Sequence, residues 1–230
     1  MNTKFLSALT ATAAATALFS ASAPAQAASF TTSSIKFDQD TAVDFTFLQT
    51  QGMYQSALGV YNVKNSMPTL IQTLFAETKR SDQNRQNEWR GTLGNTVLGP
   101  ATVRFLFLGG EEYALGLNSG YDGSVYSTTG LNSSGTQQAV FGDLSLLNAL
   151  DEDTTRKFQA AGQYTDGLSA LFNGGAVIAL DDRGNGRDTD FQDFIVTAQA
   201  VPEPMTMTGL ALGLGGLVAA RRRRGSKTAS

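Results

Sequence analysis

The sequence predicts an all-β fold, an antiparallel β-sandwich of jelly-roll-like character, over residues 28–200. Three observations carry this expectation. Short segments alternate apolar and polar side chains with the two-residue period of a half-buried strand. Glycine-rich turns separate them. The 3.6-residue periodicity of an amphipathic helix is weak throughout the same span.

Residues 29–47 alternate: Phe45 and Phe47 fall on one face, Asp44 and Thr46 on the other. Residues 52–63 mix Tyr54, Leu58, Val60 and Tyr61 with Gly59, which predicts a turn feeding a strand. Residues 69–77 (TLIQTLFAE) suit a short helix or a strand, and Pro68 with the β-branched content favours the strand. Residues 81–88 form a polar loop. Within 96–108, Val103, Phe105 and Phe107 alternate against Arg104 and Leu106; Gly109-Gly110 then turns the chain and 113–117 returns as the next strand. Residues 118–135, rich in Gly, Ser, Thr and Asn, predict a surface loop, and 145–161 is the best helix candidate. Residues 176–180 and 194–198 are short apolar strands.

The two ends carry different signals. Lys4, an apolar stretch over residues 5–19, and Ala25-Gln26-Ala27 follow the order of a secretory signal, with cleavage by signal peptidase after Ala27. At the other end Pro202-Glu203-Pro204 precedes an uncharged run over 205–220, then Arg221, Arg222, Arg223 and Arg224, and a polar tail over 225–230. The run is short for a full membrane span, but arginines beside it favour a cytoplasmic stop. Together, the Pro-Glu-Pro, the Gly- and Leu-rich run and the arginine cluster over 201–224 resemble the PEP-CTERM sorting signal. That resemblance implies an exosortase partner, transient anchoring through a short membrane helix, cleavage near Pro-Glu-Pro, and release to the cell envelope, surface or medium.

Between the ends, composition narrows the chemistry. All 20 acidic residues lie within 28–204, while 6 of the 17 basic ones lie outside it, so this body carries 11 − 20 = −9. Such a charge argues against nucleic acid as partner and suits divalent cations. The chain has no cysteine and no histidine. Disulfides, thiol nucleophiles, Ser-His-Asp triads and the usual zinc, copper or haem sites are therefore excluded. Carboxylate-oxygen chemistry survives.

That chemistry concentrates in residues 181–193, where five aspartates, Asn185 and two glycines stand with Arg183 and Arg187. Calcium takes six to eight oxygens of this type in flexible geometry. The spacing is not that of an EF-hand, since Arg183 and Gln192 fall where acidic ligands belong. Asp182, Asp188, Asp190 and Asp193 are the foremost candidate calcium ligands, with Asp181 and Asn185 behind them. A solvated turn, with the arginines pairing to the aspartates, is the alternative.

Ala179-Leu180-Asp181-Asp182, Gly184-Asn185-Gly186 and Asp188-Thr189-Asp190-Phe191-Gln192-Asp193-Phe194 resemble the closing motif of the domain of unknown function 4114. Ser56-Ala57-Leu58-Gly59-Val60-Tyr61-Asn62 resembles a stretch that opens such proteins. The resemblance implies an extracellular β-sandwich of secreted and surface proteins, with calcium expected and no shared enzymatic activity. A non-enzymatic structural protein of the bacterial surface or extracellular matrix, associated with exopolysaccharide, is the leading expectation. A carbohydrate-binding module, with Trp89, Tyr113, Tyr121 and Tyr126 as stacking candidates, is the first alternative. A histidine-free hydrolase using two carboxylates is the second. Glu111-Glu112 does not supply its acid pair, because neighbours on a strand face opposite ways.

Overall fold

The computed structural model describes residues 28–83, 89–120, 123–152, 158, 162–182 and 190–202. Both terminal signals therefore fall outside the described residues, apart from Val201 and Pro202 at the start of the C-terminal one. In chain order the strands are β1 (Ala28–Phe30), β2 (Ile35–Phe37), β3 (Thr41–Thr50), β4 (Ala57–Lys64), β5 (Met67–Ala76), β6 (Thr102–Phe107), β7 (Glu112–Asn118), β8 (Ser124–Tyr126), β9 (Ala139–Gly142), β10 (Ala176–Leu180) and β11 (Phe194–Ala200). Two helices, α1 (Leu144–Glu152) and α2 (Leu168–Phe172), lie between β9 and β10. Among the described residues no helix is long and apolar enough to cross a membrane.

Every ladder between these strands is antiparallel. One sheet has the order β1-β2-β7-β4-β5, with β8 also on β7; the other has the order β6-β3-β11-β10-β9. Alternation decides which faces meet. Val43, Phe45 and Phe47 of β3 are buried while Asp44 and Thr46 reach the far side. They join Phe30, Phe37, Leu58, Val60, Leu115 and Leu117 of the first sheet, and Phe107, Ile178 and Phe194 of their own, in one apolar core. Aromatic rings bridge the layers: Phe37 and Phe107 lie 5.3 Å apart, Phe47 and Phe75 5.7 Å. A second cluster, with Val140, Leu146, Leu150, Val177 and Ile195, packs α1 on the outer face of the β9–β10–β11 side.

Three expectations need correction. Gly109-Gly110 does turn the chain, but β6 and β7 do not pair; β6 lies on β3 and β7 lies between β2 and β4. The turn crosses between the sheets instead. It rests on the β2–β3 crossing, where the Gly110 N–H donates to the Phe37 carbonyl at 2.7 Å and a Cβ on Gly109 would meet the Asp38 carbonyl oxygen at 2.7 Å. Second, residues 118–135 are not all loop. They include β8 and two 3-10 turns, stapled by Asn132, which accepts from the Tyr126 N–H at 2.7 Å and donates to its carbonyl at 2.8 Å. Third, the helix expected over 145–161 is α1, and Phe158 beyond it has no helical conformation. Residues 69–76 are strand, as Pro68 and the β-branched content favoured, and Glu77 follows it.

Candidate metal centre

Strands β10 and β11 pair in register from Ala176 with Ala198 to Leu180 with Phe194. The next residues on each strand are Asp181 and Asp193, so the ladder delivers two carboxylates side by side as it ends. Backbone bonds extend the same rim sideways. The Asp181 N–H donates to the Gln138 carbonyl at 3.1 Å, and the Gln51 N–H donates to the Asp193 carbonyl at 3.2 Å. The Asp182 N–H donates to Asp193 Oδ2 at 2.8 Å, which turns the second aspartate after β10 toward the first residue ahead of β11. Asp181, Asp182 and Asp193 thereby present carboxylate oxygens that all lie within 4.8 Å of one another. Asp181 is fully buried, Asp182 nearly so, and Asp193 half-buried.

The chain after β3 closes over this group. The Tyr54 N–H donates to Asp182 Oδ2 at 3.1 Å. Gly52 lies so close that a Cβ there would stand 2.4 Å from Asp182 Oδ2 and 3.1 Å from Asp193 Cβ. Only the absence of a side chain admits the loop. The segment that shelters the carboxylates is thus fitted to them.

Like charges at this spacing repel by about 3.5 kcal/mol or more per pair at an effective dielectric constant near 20. The Asp193 carboxyl is pushed well above the usual carboxylate range, first by burial and then by the Asp182 charge, with Asp190 and Asp181 adding to it. The Asp182 N–H opposes the shift. Such a group is relieved by a proton or by a cation.

A fourth acid, which feels the Asp182 charge, escaped the sequence reading. Glu77 follows β5, is buried, and receives the Thr50 hydroxyl at 2.6 Å and the Ser56 N–H at 2.7 Å. Burial nonetheless raises its carboxyl to about 7, and the Asp182 charge contributes to that rise. Its one sequence signal was solitude: Glu77 is the sole acidic residue between Asp44 and Asp82, and it closes the uncharged run 65–76.

No family model matches the chain, and no curated protein or solved structure matches it either.

Of the expected calcium ligands, Asp181, Asp182 and Asp193 come together. Asp190 is half-buried; its Oδ1 receives the Gln192 N–H at 3.3 Å, and its charge acts on Asp193. Asp188 and Asn185 lie outside the described residues, as do Ala25, Ala27, Glu203, Pro204 and Arg221, Arg222, Arg223 and Arg224. Pro202 is exposed, just beyond the Val201 N–H that donates to the Ala42 carbonyl at 2.8 Å.

Among the described residues, the aromatics named for sugar stacking form no ring pair with one another. Tyr113 is a core residue whose hydroxyl accepts the Leu108 N–H at 3.2 Å. Tyr126 packs edge-on against Tyr61 at 5.3 Å, Trp89 is half-buried, and Tyr121 is outside the described residues. Glu111 is engaged by Lys64 at 3.5 Å and by the Asn62 amide at 3.2 Å, contacts that hold its carboxyl below the ordinary range.

Proposed function

We propose that this protein is an exported structural component of the bacterial surface or extracellular matrix, with a sandwich braced by calcium at the Asp181–Asp182–Asp193 rim. The convergence of three carboxylates from two adjacent strands under a side-chain-free loop carries the calcium part of this reading. The donors are all oxygen, the chain offers neither histidine nor cysteine, and calcium is the cation that suits both facts. Asp181, Asp182 and Asp193 would hold the ion, with Asp190, Asp188 and Asn185 as candidates for the rest of its shell alongside water. Calcium would supply charge neutralisation here, and the proposed role is non-enzymatic.

Export and sorting rest on the two ends of the chain. Signal peptidase acting after Ala27, an exosortase acting near Pro202-Glu203-Pro204, and transient membrane contact through residues 205–220 are parts of the same proposal, as is the likeness to the domain of unknown function 4114. So are the jelly-roll-like arrangement, for which the crossings β2–β3, β3–β4, β5–β6 and β6–β7 between sheets speak, and an association with exopolysaccharide.

A thermal melt tests the calcium claim. The exported protein is stripped of divalent ions and heated with and without calcium at about a hundred times its dissociation constant. Binding to the folded state alone then adds about 2.7 kcal/mol, a rise in Tm of roughly 5–10 °C for a domain of this size. The Asp182→Asn/Asp193→Asn double variant should lose that rise. A rise of equal size in wild type and double variant would reject the site.

A further inference from the structure

The opposite end of β10 carries a different feature. Two cavities of about 550 and 380 Å³ adjoin where β9 gives way to α1 and where α2 leads into β10. Asp166, Ser169 and Asn173 line both, so the two form one elongated groove. Tyr164 lines one end and Phe172 the other, with Phe172 44% exposed.

The Tyr164 side of the groove is built around a backbone conformation that a bulky residue adopts only under constraint. Tyr164 has φ of +48°, and the position is held because its carbonyl accepts the Phe141 N–H at 2.6 Å. The ring packs 6.0 Å from that of Phe158 and stands over Gly142, where an added Cβ would meet Tyr164 Cδ1 at 3.4 Å. The ring is therefore presented at a fixed angle, half-buried, with its remaining surface to the groove.

The polar groups between the aromatic ends are partly committed in a way that fixes their direction. Asp166 Oδ1 receives the Leu168 N–H at 2.8 Å, and Asp143 Oδ1 receives both the N–H and the hydroxyl of Ser145, at 2.8 and 2.5 Å. The second oxygen of each carboxylate takes no part in these bonds. The Asn173 amide donates to the Ser169 carbonyl at 2.9 Å, which orients its side chain while its carbonyl oxygen stays available. Serine's own hydrogen bonds hold Asp143 below the usual carboxylate range, so it serves as an ionised acceptor at neutral pH.

We propose that this groove is a binding site for a neutral oligosaccharide, with sugar faces on Tyr164 and Phe172 and hydroxyl groups on Asp166, Ser169 and Asn173. Aromatic faces alternating with fixed acceptors match a ligand whose rings are apolar on one face and ringed by hydroxyl groups. The lining holds two carboxylates and, among the described residues, no lysine or arginine, which disfavours uronates and other acidic sugars. The open, two-lobed shape suits a chain of sugars over a single compact ligand. The groove is separate from the carboxylate rim: the five residues of β10 lie between Gly175 and Asp181, six steps that span roughly 20 Å.

Titration calorimetry on the exported protein tests this with four defined neutral probes, cellohexaose, xylohexaose, laminarihexaose and maltohexaose, and with hexagalacturonate as the acidic one. At least one neutral hexaose should bind at millimolar concentration or below, and hexagalacturonate should bind more weakly than that one. Tyr164→Ala and Ser169→Arg should each weaken binding by about tenfold or more. Ser169 is exposed, so its variant separates occlusion of the groove from failure to fold. Absence of binding by all four neutral probes at millimolar concentration overturns the proposal. So does binding that Ser169→Arg leaves intact, or a preference for hexagalacturonate. Each of these outcomes leaves the calcium reading untouched.

Discussion

Glu77 has both of its carboxyl oxygens bonded, yet burial still lifts it to about 7 from an ordinary value of 4.5. Between those two values the folded protein holds a proton that the unfolded chain has released. Stability contributed by this proton is complete below about pH 4.5 and fades as the pH rises through about 7. Asp193, also raised, acts with the same sign. The calcium-free protein should thus be more stable near pH 5 than near pH 7.5, by up to about 3 kcal/mol from Glu77. Urea midpoints across that window measure it, and Glu77→Gln should flatten the slope. An unchanged slope would show that Glu77 titrates as an ordinary surface acid. Gly52 makes a second prediction at this scale. Its replacement by alanine places a methyl group against Asp182 Oδ2, and overpacking of this kind costs about 1–3 kcal/mol. Gly52→Ala should also lower the calcium-induced rise in Tm, a loss that a merely local strain would not produce.

Among the elements, β5 shows why the sequence of 69–77 suited two conformations. Its ladder with β4 skips Leu74 and Ile71, pairing Phe75 with Leu58, Thr73 with Gly59, Gln72 with Val60 and Leu70 with Tyr61. Two bulges break the two-residue alternation that identifies a strand, and the apolar spacing left behind imitates a helix. β3 has unbroken alternation over its first seven residues, and its faces were legible from Phe45 and Phe47 alone. β8 and β9, of three and four residues, are too short to display a period. The β6–β7 crossing was illegible for another reason: Gly109-Gly110 is equally good chemistry for a hairpin, and only the packing of the turn on Asp38 decides otherwise. Glycine also has a role across the first sheet. The Tyr61 ring lies over Gly116, where a Cβ would come within 2.4 Å of it, and edge-on to Tyr126. Gly116→Ala should displace that ring and cost about 1–3 kcal/mol, readable as a lower urea midpoint with an unchanged m-value.

For the whole molecule, the sandwich is held by aromatic residues contributed by both sheets. Phe107 touches this pattern most widely, with the rings of Phe37, Phe45, Phe105 and Tyr113 between 4.7 and 6.2 Å away. Phe107→Ala should cost about 3–5 kcal/mol, measured by chemical denaturation. The candidate site was partly visible before the fold was known, because aspartates crowd one stretch of sequence. Convergence of Asp181 and Asp182 with Asp193 needed the β10–β11 register, and Glu77 and Gly52 needed the sandwich to bring in the ends of β5 and β3. A crystal structure of the protein grown in calcium, with anomalous scattering recorded, addresses the central claim most directly. The account predicts one anomalous peak within coordination distance of Asp181, Asp182 and Asp193, absent from Asp182→Asn/Asp193→Asn crystals. Those three carboxylates joined to one another or to arginine, with no peak between them, would contradict it.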